Sequence, residues 1–287
     1  MQSSRRKMRA WAARRAGALA LLVLIGAVPA AEAQTADLVS KNAFRVCADP
    51  ANAPMSVEDG SGFENRIAAL FARELDLPLE YTWYPMSTGF VRNTLGADRC
   101  DVVMGYTQLQ ELVQNTNHYY TSAFALIVPK DGPLAGVSRL SDPKLQGMRI
   151  GVTAGSPAAS HMTRLGLMAK AKPYDLFVDR RYESPADDML ADLEAGRIDA
   201  AILWGPIGGP LVKQGHPDLV VTPLAEEGVQ PKLFYRITMG VRRSDHDWSR
   251  KLNSLIRRNQ DEINAILIDA GVPLLNDMGT GPLEIGQ

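Results

Sequence analysis

The sequence predicts an α/β protein built as two lobes, each a mostly parallel sheet flanked by helices, with two extended crossings between them. Three observations predict it. Residues 44–105 alternate strand and helix patterns in a β-α-β-α-β rhythm, the rhythm of a parallel sheet. A second series of the same kind starts at Arg149, after the breaker cluster Pro129-Lys130-Asp131-Gly132-Pro133. A late strand over 233–241 then returns the chain from the second series to the first. Lobe 1 is expected over 34–127 with 238–287, lobe 2 over 128–237, with crossings near 126–129 and 232–239 and a cleft between the lobes.

The first series opens with the apolar strand Phe44-Arg45-Val46-Cys47-Ala48, followed by a loop in which Pro50 and Pro54 disfavour helix and ladder. Loops beyond the carboxyl ends of strands in open α/β sheets are where ligands bind, so residues 49–54 form the first ligand-facing surface. Residues 62–75 set Phe63, Ile67, Leu70, Phe71 and Leu75 at helical spacing, which turns one face to the sheet. A strand is expected over 79–84, a helix over 87–97 with Phe90, Val91 and Leu95 inward, and a buried strand over 100–105. Residues 124–128 form the strand that leaves this series.

In the second series, residues 149–152 form a strand that runs into Ala154-Gly155-Ser156-Pro157 and a helix holding His161, Met162 and Leu165. A short strand over 176–178, a helix over 186–195 and a strand over 198–203 follow, the last ended by Trp204-Gly205-Pro206. Residues 248–270 carry Leu252, Leu255, Ile256, Ile263, Ile266 and Leu267 on one face of a single long helix, stopped by Gly271 and Pro273. The glycine-rich tail over 277–287 is expected to fray.

Arg5, Arg6, Lys7, Arg9, Arg14 and Arg15 precede an apolar run over 16–28 and the small-residue site Ala31-Glu32-Ala33, the pattern of a secretory signal covering residues 1–33. That run is too short to span a bilayer, no second one of spanning length follows, and no cysteine stands at the cleavage site. A monomeric protein exported to the periplasm without a membrane anchor is expected. Cleavage leaves 25 basic and 31 acidic residues, a net charge of −6, which argues against nucleic acid as a partner. Cys47 and Cys100 are the only cysteines, and in an oxidising compartment they suit a single disulfide rather than a redox centre, for which the CxxC spacing is missing.

Patterns for catalysis are scarce. His118, His161, His216 and His246 lack metal-ligand spacing and suit surface or capping roles; there is no GxSxG, and Gly208-Gly209 lacks the spacing of a phosphate loop. An enzyme would have to rely on the carboxylates Asp49 and Glu64, and Glu64 in the first turn of its helix suits an interaction with the helix dipole. No catalytic residue, metal or cofactor is assigned.

The order of elements resembles the type II periplasmic solute-binding proteins. Within them, six segments resemble the MoxJ and XoxJ-like accessory proteins associated with PQQ-dependent alcohol dehydrogenases. These are Cys47-Ala48-Asp49-Pro50 with Asn52 and Pro54, Gly62-Phe63-Glu64-Asn65, Gly89-Phe90-Val91-Arg92-Asn93-Thr94-Leu95, Cys100-Asp101-Val102-Val103, Ile198-Asp199-Ala200 with Trp204-Gly205-Pro206, and Met239-Gly240-Val241-Arg242. The likeness spans residues 44–275. It implies that the strands of Cys47 and Cys100 are neighbours, within reach of a disulfide.

Departures from the amino-acid-binding branch are informative. There an arginine three residues after a threonine clamps the ligand carboxylate, whereas here Thr107 is followed by Gln108, Leu109 and Gln110. An aspartate that meets the ligand ammonium in that branch aligns with Trp204. A free amino acid is therefore an unsuitable ligand. The cleft is expected to hold Asp49, Asn52, Phe63, Glu64, Phe90, Arg92, Tyr106, Thr107, Tyr120, Thr153, Ser156 and Trp204, with Tyr84 and Tyr119 nearby. Its aromatic character suits a flat ligand or an inserted partner side chain. Thr153 and Ser156 at a helix start offer N–H groups and hydroxyls to an anion, and Ser156 equally suits an N-cap. The resemblance implies a non-catalytic accessory protein for a PQQ-dependent, methanol-type alcohol dehydrogenase, with the binding component of an ABC importer as the alternative.

Overall fold

The computed structural model describes residues 38–108, 112–224 and 230–284; the expected signal at 1–33 and Leu109 and Gln110 lie outside them. Within the described residues, strand partners divide into two groups that share one long strand. In the first group β1 (Phe44–Ala48) lies parallel between β4 (Leu79–Trp83) and β5 (Val102–Thr107), and β11 (Phe234–Val241) runs antiparallel beside β5. A two-residue hairpin, β2 (Ala51–Asn52) with β3 (Ser56–Val57), follows β1, so the loop expected to avoid a ladder carries a short one. The thirteen-residue α1 (Phe63–Leu75) packs Phe63, Ile67, Leu70 and Phe71 onto this sheet, as its periodicity predicts.

The shared strand is β6 (Gln114–Pro129). Its first part pairs with β11, from Gln114 to Ala123; its second pairs with β9 (Ala200–Trp204) on one edge and β10 (Leu219–Pro223) on the other. Beyond β9 lie β7 (Ile150–Thr153) and β8 (Lys172–Tyr174), all parallel. Leu126 and Ile127, adjacent on β6, point to opposite faces and enter separate cores. One core gathers Ile150, Met162 and Ile202 under α3 (Pro157–Arg164); the other gathers Met189, Leu190 and Leu203 under α4 (Pro185–Glu194).

Three further elements and one side chain differ from the sequence expectation. The helix expected over 87–97 is a short α2 (Phe90–Asn93) and a separate turn at 95–97, because Thr94 leaves helical geometry at φ −122° and ψ −85°. The strand expected at 176–178 is exposed loop, and the ladder with β7 is made upstream by β8. The long helix divides into α6 (His246–Arg258) and α7 (Gln260–Ala270) at Asn259, while one apolar face continues through both. His161, expected at the surface, is buried, with Nε2 2.6 Å from the carbonyl of Pro231.

The segment after Trp204 forms α5 (Gly205–Gly215), which composition alone disfavours. Its glycines answer to close approach. A Cβ at Gly209 would stand 2.9 Å from Pro273 Cδ, and one at Gly205 2.7 Å from Pro273 Cγ. At the far end, Lys213 Nζ donates to the carbonyl of Asp269 at 2.7 Å, at the C-terminal end of α7 where a cation is favoured. α5 is thereby fixed to the C-terminal helix.

Cys47 and Cys100 are disulfide-bonded with Cα atoms 5.5 Å apart, which joins β1 to the start of β5. Beside the bridge, Asp101 is buried and accepts from Arg45 Nε at 2.8 Å, Arg45 at 2.7 Å and Arg242 at 2.7 Å. Burial alone would raise its pKa, but these two guanidiniums outweigh it and hold the carboxyl below its ordinary range.

Candidate functional site

A cavity of about 430 Å³ opens where the β2–β3 hairpin faces the starts of α3, α4 and α5. Ala51, Asn52 and Ala53 border it from the hairpin, Thr153, Ser156 and Pro157 from the start of α3, Ser184 and Pro185 from the start of α4, and Phe124 and Trp204 from the strands. Its lining is mostly apolar. The Arg180 guanidinium donates to Asn52 Oδ1 across it and ties the loop before α4 to the hairpin.

A second cavity, of about 260 Å³, shares Phe124, Pro157 and Trp204 with the first and continues along the strands to Met55, Gly105, Thr107, Tyr120, Tyr235 and Ile237. Strand alternation puts Tyr120 and Phe124 on one face of β6, and Tyr235 and Ile237 on one face of β11. Trp204, one of the residues common to both spaces, lies edge-on between two rings, 5.5 Å from Phe124 at 62° and 5.8 Å from Tyr235 at 73°.

Of the residues expected in the cleft, Asn52, Thr153, Ser156 and Trp204 line the first space, and Thr107, Tyr120 and Trp204 the second. The others are placed differently. Asp49 is 5% exposed and accepts from the amides of Ala51 at 2.9 Å and Met86 at 2.8 Å, so it pins a turn. Phe63 belongs to the core under the sheet, and the cavity it borders, of about 310 Å³, lies between α1, α5 and α7. Phe90 packs around the disulfide with Leu95 and Val103, and Tyr84 and Tyr106 lean on the same cluster. Arg92 is exposed on α2, outside all three cavities. Ser156 Oγ accepts from the amide of Ala159 at 3.2 Å, so its hydroxyl is the N-cap of α3.

Glu64 is the largest departure. It is 4% exposed rather than presented at a helix end, and its Oε1 has no hydrogen-bond partner. Burial pushes its pKa up from 4.5 to about 7. The carboxyl lies beneath Gly105, whose φ is +67°. A Cβ on Gly105 would meet the Glu64 carboxyl carbon at 3.0 Å, so the absence of a side chain there leaves room for the acid.

The family model for bacterial extracellular solute-binding proteins, family 3, matches residues 44–267. The chain belongs to this family. A crystal structure of the periplasmic binding protein XoxJ from Methylobacterium extorquens AM1 is similar with a TM-score of 0.69 at 39% identity, covering 82% of this chain and 100% of that one. Protein MoxJ of Methylorubrum extorquens is 26% identical over 280 residues, 89% of this chain and 92% of the relative. Protein MoxJ of Paracoccus denitrificans is 28% identical over 246 residues, 81% of this chain and 89% of the relative. The two strand groups around β6 are thus the type II periplasmic binding protein fold that the element order predicts.

In this family 3 member, Phe124, Tyr235 and Arg180 complete the site that the sequence only partly indicates. Tyr235 carried a signal, because alternation along 233–241 puts it opposite Phe234 and in phase with Ile237. Arg180 carried none, since its role depends on how the loop between β8 and α4 folds back to Asn52. That loop also exposes Leu176, Phe177 and Tyr182, at 48%, 90% and 80%, beside the cavity mouth.

Proposed function

We propose that the protein is a non-catalytic periplasmic accessory protein that binds a PQQ-dependent, methanol-type alcohol dehydrogenase during its maturation or activation. In this reading, residues 34–127 with 238–287 and residues 128–237 act as its two lobes. The observation that carries it is the apolar mouth of the cavity. Leu176, Phe177 and Tyr182 stand exposed beside a space lined by Trp204 and Phe124, the arrangement of an aromatic anchor site for a partner segment. Similarity to proteins named MoxJ and XoxJ supports the choice of partner. Thr107 is followed by Gln108 where amino-acid binders begin their clamp, so no cationic group is offered there to a ligand carboxylate.

Binding to the purified dehydrogenase, measured by interferometry, tests this. Phe177→Ala is expected to weaken binding by about 2 kcal/mol and to change stability by less than about 0.5 kcal/mol, because its side chain is almost fully exposed. Trp204→Ala is expected to weaken binding by a similar amount and to lower stability as well, since it removes contacts to Phe124 and Tyr235. A dehydrogenase that binds the parent and the Phe177 variant equally, or neither, removes the docking role.

One observation favours a second reading, an importer binding component for a small solute other than an amino acid. The first cavity falls in the size range of small-molecule sites. A metabolite that raises the melting temperature would support it, through selective binding to the folded state.

A further inference from the structure

The smaller cavity shares Phe124 and Trp204 with the larger one and adds a chemistry of its own. Trp204, Phe124 and Tyr235 meet there at 62° and 73°, and Tyr120 and the thioether of Met55 close two further sides. A small space lined by Tyr120, Phe124, Trp204 and Tyr235 is rich in π-systems, whose faces attract an organic cation. The two aromatic walls on the long strands come from the alternation of β6 and β11, and the third comes from the end of β9, so rigid elements hold all three.

Beneath this corner lies Glu64, a buried acid with an oxygen that lacks a hydrogen-bond partner. Glu64 is 4% exposed, its Oε1 makes no hydrogen bond, and its carboxyl sits against Gly105, which with Tyr120 forms part of the cavity floor. A buried polar atom without a partner calls for an explanation, and a negative charge there costs desolvation unless a positive one stands near. Lys and Arg do not figure among the groups that act on Glu64. Among the described residues a positive partner is therefore missing.

We propose that this corner binds a small methylated ammonium ion, held against Trp204 and Tyr235 and attracted by the Glu64 carboxylate that lies behind the Gly105 backbone. Methyl groups suit the apolar rings, and a cation without hydrogen-bond donors needs none of the polar partners that the walls lack. The inference goes beyond the docking reading and does not depend on it. The titratable groups that act with Glu64 are Tyr81 from β4 and Tyr119 and Tyr120 from β6; all three are raised above 10 by burial first, so they stay neutral while the acid ionises. β5 brings the Gly105 backbone against it. Cation binding consequently favours the ionised acid and tightens as pH rises through about 7.

The test is calorimetric titration of the full exported chain with choline chloride and, separately, with 3,3-dimethylbutan-1-ol, its uncharged isostere. Choline is expected to bind about tenfold more tightly than the isostere, and about tenfold more tightly at about pH 8 than at about pH 5.5. Glu64→Gln is expected to abolish the pH dependence and to leave the isostere unaffected. Trp204→Leu, which keeps an apolar side chain and removes the π-face, is expected to remove the preference for choline over the isostere. Equal affinity for choline and isostere in the parent protein would overturn the proposal, as would pH-independent choline binding or no binding at about 10 mM, a concentration at which even a weak cation–π site fills. Dehydrogenase binding is measured separately, so failure here leaves the docking reading standing.

Discussion

Replacing Cys47 and Cys100 together by alanine is expected to lower the free energy of unfolding by about 4 kcal/mol, read as the midpoint of chemical denaturation against the parent. The bridge spans a sequence separation of 53 residues, and in the chain-entropy model its main effect is to restrict the unfolded chain. The native side adds to this, because both sulfurs are buried among Phe90, Leu95 and Val103, and truncation opens a void between β1 and β5. The loss should fall on the first strand group. Asp101, next to Cys100, still ties Arg45 and Arg242 together after the bridge is gone, so a folded variant of reduced stability is expected rather than an unfolded one. A denaturation midpoint unchanged from the parent would mean that the two thiols are not bonded in the exported protein.

The local rules succeeded where one element settled its own pattern. β1 and α1 fall where a run of apolar residues and a 3.6-residue period put them, because both bury one face against a neighbour that needs no further information. The failures occur where a distant partner decides. The strand expected over 124–128 begins instead at Gln114 in β6, since β11 supplies the ladder along that edge. Gly205-Pro206 ends the strand as expected, but α5 beyond it had no local signal, because its glycines serve the approach of Pro273 from the C-terminal segment.

The site followed the same division. Trp204 was legible, as the large aromatic at the end of a buried strand before Gly205-Pro206, and Asn52, Thr107 and Thr153 were legible as positions at strand ends. Phe63 and Phe90 were both expected in the cleft and instead complete cores, since a ring's residue type does not say which side of its element the cavity occupies. Phe124 and Tyr235 needed the pairing of β6 with β9 and β11 before they could be brought to one corner.

Glu64 was misjudged for the most instructive reason. An acid in the first turn of a helix ordinarily faces water and gains from the dipole. Here β5 and β6 cover that turn, with Gly105 and Tyr120 over the carboxyl, and the gain from the dipole is overridden by desolvation. The consequence is a slope of stability against pH. In the unfolded chain the carboxyl ionises near its ordinary 4.5, and in the folded protein near about 7. Between those values the folded state holds the proton that the unfolded state has lost, so stability falls as pH rises across that window and levels off above it. Below about 4.5 both states are protonated and the full benefit is present. Glu64→Gln keeps the shape of the neutral acid and cannot ionise. It is expected to match the parent near pH 4.5 and to exceed it by about 3 kcal/mol at pH 8, the cost of holding the bare carboxylate in the core. Urea denaturation of both proteins at a series of pH values gives the two curves. Parallel curves would mean that Glu64 ionises at an ordinary pH and that water reaches it beneath Gly105; convergence below pH 5 with separation above pH 7 would establish the buried acid.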